Sequence, residues 1–562
     1  MITLESITFN HHPECATRDA FNIRKNEKEF VTLPEWRQGT PFDQQSPAAY
    51  AIKAIGKNVI TIRAKFTCQD PTIKELEVQA INFSPDDSSF GIGPQQPKFQ
   101  SSVLPPRLGH SDLLGRVPAQ LISFSQDGEL LNLEGSKVAT AGVGVHVIHW
   151  EWQYRQHEKA SWTTFAKTSH RIYTVLRVPK RPWLQHPYTP DNTQLPWTEV
   201  LDFACDWAKE SKDPDQAAAK VTKSFRDVEK VFFISYDLSA FYSGLNFDCT
   251  AFLDLIRGGI GIGNKLNCSD CATVVSTFAN ILGCSLWQST MDGTYGMTFP
   301  TNPIRLFGRT CWRPSNFGSH EVAWKGRCTE CESFFDATLE LDGDDFPTHP
   351  PQKPLLPRNI KLGGRRDRQY LFRFLSASYP GTLEPNPKSR CHRAISPKTG
   401  PIPTRVTAKH LALLKSYYRF DEWPPGRPAT KLSTVNDLRT KLFAAKHIFD
   451  WNIVRDPTFI EAASGPLTIQ MILESENAHL RLDIDVCGSN EAARNHLLQR
   501  LGQFDSPTLQ RSESSNIGEI SFVEPEVGAI LFLRKNLIAL VRNAGNMWVD
   551  SKAFARELDL LL

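Results

Sequence analysis

Hydrophobic and polar residues alternate with a period of two along several segments of the first third of the chain. Residues 60–68 alternate isoleucine, alanine and phenylalanine with charged or hydroxyl residues, which is the pattern of a half-buried strand. Residues 75–83, 143–155 and 169–179 repeat this pattern, with clusters of Gly, Pro, Asp and Ser between them. Short strands separated by turns are typical of two packed sheets. The pattern predicts a β-sandwich-like domain over residues 1–182.

The hydrophobic period changes to that of a helix after a Pro-rich joint at residues 178–196. The next hydrophobic residues fall on one helical face: Trp197, Val200, Leu201, Ala204 and Trp207. Asp213 followed by Pro214 is a start signal for a second helix. Further helical segments and then strand-like segments follow. We expect an α+β domain over residues 190–377.

The last part of the chain begins with a segment rich in Pro, Ser and Lys, which predicts a linker over residues 378–425. Beyond it, residues 479–486 alternate as a strand, residues 489–502 form a capped helical pattern, and a hairpin turns near residue 535. These elements predict a small α+β domain over residues 426–562, with nothing in it that suggests catalysis. The fold class is therefore multidomain α+β.

Composition limits the class of protein. The chain has 562 residues, of which 40% are hydrophobic and 22% charged, and a net charge of +3. These values are typical of a globular protein of several domains, and they give no reason to expect nucleic acid as a partner. No apolar stretch is long enough to cross a bilayer, and the N-terminus lacks a Sec-type signal pattern. We expect a cytoplasmic protein without a membrane partner; export by a signal-independent route stays open.

The chemistry centres on the sequence NCSDCATVVSTFANILGC at residues 267–284. Its apolar residues recur at helical spacing, and Gly283 suits the position after a helix C-terminus. Cys268 then lies at the N-terminus of a largely buried helix, where free backbone N–H groups and the helix dipole favour an anion. A thiolate there is a nucleophile. Cys271 lies nearly one turn further along, and we expect it to pack in the core.

A candidate base and its orienting carboxylate follow in the sequence. His320 lies on one strand-like segment and Asp336 on the next, each eight residues from Cys328. If the two strands form a hairpin centred on Cys328, His320 and Asp336 face each other directly. Opposed side chains on one face have Cβ atoms about 4.5–5.5 Å apart. This register predicts a carboxylate beside an imidazole, which completes a Cys-His-Asp triad.

These residues resemble the transglutaminase-like superfamily over roughly residues 195–345. Three blocks carry the resemblance: the Cys-x-Asp-x-Ala run from Cys268 with its helix ending in Leu-Gly, the His-x-x-x-Trp from His320, and the Asp-x-Thr from Asp336. The resemblance implies a papain-like α+β core with Cys268 as nucleophile, His320 as base and acid, and Asp336 as orienting residue. Glu321 departs from the family pattern, and so does Cys271, at a position more often aromatic.

The resemblance implies acyl transfer at amide or peptide bonds through a thioester, with no cofactor and no metal. Hydrolysis of a protein or peptide substrate, as by a protease or amidase, is the favoured outcome. Transamidation of protein glutamine by the same triad is an alternative, because both reactions share the acyl-enzyme. A non-catalytic binding module, with protein partners recruited by the flanking domains, is another.

The two C-x-x-C sequences leave a further alternative, a zinc-stabilised scaffold that uses four thiolates: Cys268, Cys271, Cys328 and Cys331. The long apolar helix between the pairs is unlike a zinc knuckle, so this alternative ranks lower. A local metal or disulfide at Cys328 and Cys331 stays open.

Overall fold

The computed structural model describes most of the chain. The residues described are 2–9, 20–52, 60–83, 109–110, 113–124, 128–184, 194–232, 235–236, 242–244, 246–257, 265–309, 311–344, 351, 353–395, 415–416, 418–424, 432–443, 447–453, 457–461, 466–476, 478–501, 510–512, 516–524, 529–543 and 549–562. Over these residues the protein is a multi-sheet α+β protein.

Two sheets make up the described part of the N-terminal region, and most of their buried hydrophobic residues share one core. Their strands are β1 Ile2–Thr8, β2 Trp36–Arg37, β3 Ala48–Ala51, β4 Ile60–Cys68, β5 Glu75–Asn82, β6 Gly109–His110, β7 Val117–Ser123, β8 Glu129–Leu133, β9 Gly144–Arg155 and β10 Thr163–Val175. One sheet has the order β2-β1-β4-β8, and the other has the order β3-β10-β9-β5-β7 with β6 paired to β9. One end of β3, β9 and β10 contributes residues to the core of the central region instead. The four segments that alternate in the sequence form β4, β5, β9 and β10, as predicted.

In the described part of the central region, four helices come first. They are α1 Thr198–Trp207, α2 Pro214–Phe232, α3 Cys249–Ile256 and α4 Cys268–Ile281. The Asp213 carboxylate accepts a hydrogen bond from the Gln216 backbone N–H at 2.9 Å, so it caps α2 as predicted. Helix α4 is the centre of this layer, because α1 and α2 pack on it while β14 and β18 contact its other side. The rings of Trp207 and Phe278 stack at 5.1 Å between α1 and α4.

A five-stranded antiparallel sheet supports α4, with the order β22-β19-β18-β14-β23. The strands of the central region are β11 Ser235–Tyr236, β12 Asn246–Phe247, β13 Lys265–Leu266, β14 Leu286–Gly293, β15 Phe299–Pro300, β16 Arg305–Leu306, β17 Asn316–Phe317, β18 Ser319–Lys325, β19 Ser333–Phe335, β20 Leu339–Asp342, β21 Pro354–Leu355, β22 Arg358–Lys361, β23 Leu383–Pro385 and β24 Ala394–Ile395. Helix α5, Tyr370–Phe374, lies between β22 and β23.

The structure differs from the linker predicted over residues 378–425. Strand β23 pairs with β14, and β24 pairs in parallel with β12, so residues 383–395 belong to the central region. Pro385 lies on an edge strand, where a missing N–H removes no bond to a second neighbour. Residues 396–414, 417 and 425 of the predicted linker lie outside the described residues.

The C-terminal region forms one antiparallel sheet of nine strands, with the order β25-β26-β28-β29-β33-β32-β31-β30 and β27 paired to β28. Its elements are α6 Val435–Leu438, β25 His447–Ile448, β26 Trp451–Ile453, β27 Thr458–Glu461, β28 Leu467–Ser475, β29 Ala478–Val486, α7 Asn490–Leu501, β30 Gln510–Arg511, β31 Ile520–Glu524, β32 Ala529–Arg534, β33 Leu537–Asn543 and α8 Ser551–Leu561. Helices α7 and α8 contribute to separate hydrophobic clusters of the sheet. The predicted hairpin is present, with Arg534 paired to Leu537.

Candidate active site

The N-terminus of α4 is fixed by a reciprocal pair of side-chain hydrogen bonds. Asn267 is the N-cap and accepts from the Asp270 backbone N–H at 3.0 Å, while Asp270 Oδ2 accepts from the Asn267 N–H at 3.1 Å. This capping box makes Cys268 the first residue of the helix. Cys268 and Ser269 are partly exposed, whereas the rest of α4 is buried. The helix therefore presents Cys268 at its open end, as the sequence predicts.

Asp270 also holds the segment before α3 in place. Its Oδ1 accepts hydrogen bonds from the backbone N–H groups of Tyr242 at 2.9 Å and Ser243 at 2.6 Å. With the bond from Asn267, three N–H groups donate to one buried carboxylate. The Asp270 carboxylate therefore stabilises the backbone around Cys268. This structural role explains why an aspartate lies two residues after the cysteine.

His320 is the second residue of β18, and its side chain is completely buried. Its Nε2 lies 2.9 Å from Asp336 Oδ2. The rings of Phe317 and Phe374 flank the imidazole, with centroids 5.2 Å and 5.4 Å away. Asp336 and the two rings thus hold the imidazole through Nε2, and Nδ1 is the ring nitrogen left for the side chain of Cys268.

The charge state of His320 depends on its two neighbours. Burial lowers the pKa of the imidazole, but the negative charge and hydrogen bond of Asp336, together with the adjacent Cys268 side chain, raise the pKa of His320 to about 10. The structure thus brings the three predicted residues together, with His320 between Cys268 and Asp336. The Cys268 thiol and the His320 imidazole are therefore adjacent, an arrangement that allows a proton to pass between the two groups.

The register of the hairpin is not the one predicted. Ala323 pairs with Phe335 and Trp324 with Phe334, so the centre of the pairing lies one residue beyond Cys328. This register would put residue 338, not Asp336, directly opposite His320. Asp336 is instead a diagonal neighbour, beyond the end of β19.

Asp336 has two further hydrogen bonds. Its Oδ1 accepts from the Thr338 backbone N–H at 2.8 Å, and its Oδ2 accepts from the Tyr370 hydroxyl at 2.9 Å. Burial and the charge of Asp336 raise the pKa of Tyr370 well above its usual value, so the phenol keeps its proton. Tyr370 lies in α5, outside the three motifs, and no pattern in the sequence points to its contact with Asp336.

The other cysteines have different surroundings. Cys271 is fully buried, and burial followed by the charges of Asp270 and Asp336 raises its thiol pKa well above the usual value. Cys328 is buried with a backbone φ of 61°, in the turn between β18 and β19, while Cys331 is exposed. Among the described residues, no three His, Cys, Asp or Glu side chains gather as a metal site, and no described cysteine forms a disulfide. The two C-x-x-C sequences therefore do not meet.

A scan against models of known protein families found no match, and no curated protein matches the chain. None of the helices in the described ranges is both long enough and apolar enough to cross a membrane.

Proposed function

We propose that the protein is a transglutaminase-like cysteine enzyme that cleaves amide or peptide bonds through a thioester intermediate. The arrangement of His320 supports this proposal most strongly: Nε2 is 2.9 Å from Asp336, and the ring lies beside Cys268 at a helix N-terminus. A nucleophile, a base and an orienting carboxylate in that order are the elements of covalent acyl transfer.

In the first step, His320 holds the proton of the Cys268 thiol, and the sulfur attacks the carbonyl carbon of the substrate. The carbonyl oxygen becomes an oxyanion, and we assign its stabilisation to the Cys268 backbone N–H in the first turn of α4. As the C–N bond breaks, His320 gives its proton to the leaving amine. A thioester on Cys268 remains. Asp336 keeps Nε2 protonated, so Nδ1 is the nitrogen that exchanges the proton.

In the second step, water attacks the thioester, and His320 takes its proton. The C–S bond breaks, the carboxylic acid leaves, and the proton returns to the sulfur. An amine in place of water gives transamidation through the same steps. We favour hydrolysis, because the resemblance of the sequence is to the broad superfamily rather than to large multidomain crosslinking enzymes.

The proposal includes a division of the chain into domains. Residues 1–182 form a β-sandwich-like domain, residues 190–377 with the added strands of residues 383–395 form the catalytic core, and residues 426–562 form a small α+β domain. A separate hydrophobic cluster between the two N-terminal sheets and two clusters in the C-terminal region support this division. The cluster of the central region also includes N-terminal residues such as Ala49, Val145 and Tyr173, so these two regions share part of their core.

Thiol labelling of Cys268 tests the proposal. Iodoacetamide at substoichiometric amounts, followed by peptide mass spectrometry, should modify Cys268 faster than the exposed Cys311 and Cys331. Cys268→Ala should abolish this fast phase and any hydrolysis of a peptide library, and Cys271→Ala should spare both. Equal loss in the two variants would contradict the proposal. Adding a primary amine to the library assay distinguishes transamidation from hydrolysis.

A further inference from the structure

The residues that follow the proposed nucleophile and base are joined to each other. Ser269, next to Cys268, donates a hydrogen bond from its hydroxyl to Glu321 Oε2 at 2.5 Å. Glu321, next to His320, is a buried carboxylate at the position where the sequence departs from the family pattern. A direct contact therefore connects the first turn of α4 with the start of β18, immediately beside the proposed catalytic pair.

Arg393 completes this junction. Its Nη1 and Nη2 donate to the two carboxylate oxygens of Glu321 at 2.5 Å and 2.9 Å, a two-pronged ion pair. Nη1 also donates to the Thr273 hydroxyl of α4 at 3.0 Å, and Nε donates to the Gly244 carbonyl at 2.9 Å. The guanidinium thus contacts the helix of the nucleophile, the strand of the base and the segment before α3.

Arg393 lies in residues 383–395, a segment that we call the strap. The strap begins as β23 on the edge of the five-stranded sheet and ends as β24 on β12. Between them, Cys391 and Gln288 exchange two backbone hydrogen bonds, at 2.9 Å and 3.1 Å. Because the strap is anchored at both ends and in the middle, the Arg393 side chain is held against Glu321.

We propose that Arg393 is a positioning residue of the active site: it joins the two catalytic elements and cancels the charge of Glu321 beside them. This inference rests on the proposed function. Without the arginine, an uncompensated buried carboxylate would stand next to His320 in the sequence and in contact with Ser269, the residue after Cys268. A negative charge there opposes formation of the Cys268 thiolate, and an uncompensated Arg393 favours it.

Several charged groups surround Cys268, and the test must separate them. His320 lies beside it on β18, with Asp336 and Tyr370 behind the imidazole. Asp270 lies on its own helix and is bound by three backbone N–H groups. Variants of Glu321 and Arg393 change only the junction and leave these groups in place.

The experiment measures the pH dependence of Cys268 alkylation by iodoacetamide in the full-length protein, with the modified peptide quantified by mass spectrometry. A unit charge about 10 Å away, at an effective dielectric constant of about 20, shifts a titration by roughly one pH unit. Arg393→Gln should raise the pH midpoint by up to about one unit, and Glu321→Gln should lower it by a similar amount. The double variant should return to the wild-type midpoint, and Arg393→Lys should stay near it.

The C-terminal sheet offers a matched control. Arg500 and Asp485 form a similar two-pronged ion pair, with side chains 17% and 2% exposed, against 13% and 7% for Arg393 and Glu321. Arg500→Gln should lower thermal stability by a comparable amount without moving the midpoint of Cys268. A purely structural role of Arg393 would give the same result as this control.

Each outcome has a defined meaning. Midpoints that move in opposite directions in the two single variants and return in the double variant support the inference. Midpoints that stay at the wild-type value, or move in one direction, overturn it even if Cys268 is highly reactive. If Arg393→Gln does not fold, the pH midpoints of Glu321→Gln and of the double variant test the inference in its place. A wild-type Cys268 that reacts no faster than Cys311 overturns the proposed function, and this inference with it.

Discussion

Asp336→Asn tests the electrostatics of the proposed triad most directly. The substitution keeps the size of the side chain and removes its charge. Burial lowers the pKa of His320, but Asp336 and the adjacent Cys268 together raise it from 6.5 to about 10. At 1.36 kcal/mol per pH unit, this is a preference for the imidazolium on the order of 5 kcal/mol. With an amide in place of the carboxylate, burial dominates, because it favours the neutral imidazole.

We therefore expect the His320 titration in Asp336→Asn to fall by three pH units or more, to below its ordinary value. The sign for stability follows from the raised pKa. The stabilisation that His320 contributes is fully present below about pH 6.5 and is lost as the pH rises through about 10. The stability difference between wild type and Asp336→Asn should accordingly be largest at low pH and shrink towards pH 10.

The assay is NMR of the protein labelled with ¹³C at histidine Cε1. The chain has 15 histidines, and His320→Gln identifies the signal of interest by its loss. Asp485→Asn is the control, because the Asp485 carboxylate pairs with His496 and Arg500 of the C-terminal region, so this substitution should leave the His320 titration unchanged. If His320 titrates at the same pH in wild type and Asp336→Asn, the carboxylate does not govern the imidazole and the reasoning is refuted.

Three further substitutions test the surroundings of the triad. Tyr370→Phe removes one hydrogen bond to Asp336 and should cost about 1 kcal/mol of stability while lowering the turnover of any amide substrate; unchanged stability and turnover would contradict a role for the hydroxyl. Asn267→Ala removes the cap of α4 and should cost about 1 kcal/mol by thermal melting, and fast labelling of Cys268 should slow. Phe278→Ala opens a cavity in the core around α4 and should lower the free energy of unfolding by about 3–5 kcal/mol. A loss below about 1 kcal/mol would contradict the close packing of Phe278 in this core.

Local patterns were sufficient to predict the elements that carry the site. Helix α4 begins at Cys268 because Asn267 and Asp270 cap each other, and it is followed by Gly283 at a positive φ of 87°. The capping pair and the glycine are each found within a few residues of a helix end, so both can be recognised in the sequence. The cap of α2 by Asp213 was readable for the same reason.

Contacts between segments that are far apart in the chain could not be predicted from the sequence. Tyr370 reaches Asp336 from a short helix, and Arg393 reaches Glu321 from a segment whose composition indicates a linker. Neither position has a periodicity or a motif that points to its partner. The packing of α5 and the pairing of β23 determine the path of the chain after β22. This path brings Tyr370 and Arg393 to their partners.

The pairing of β18 with β19 shows why a wrong register still predicted a correct contact. The predicted hairpin was centred on Cys328, but Glu332 folds back on the turn and accepts hydrogen bonds from the Arg327 and Thr329 N–H groups, and the centre lies one residue later. A shift of the centre by one residue changes each cross-strand partner by two positions. Because side chains alternate between faces with a period of two, His320 and Asp336 stay on the same face and become diagonal neighbours, still within reach of each other. A change of partner by one position would have put Asp336 on the opposite face of the sheet. The sequence spacing therefore predicts that His320 and Asp336 share a face, but it does not predict that they lie directly opposite each other.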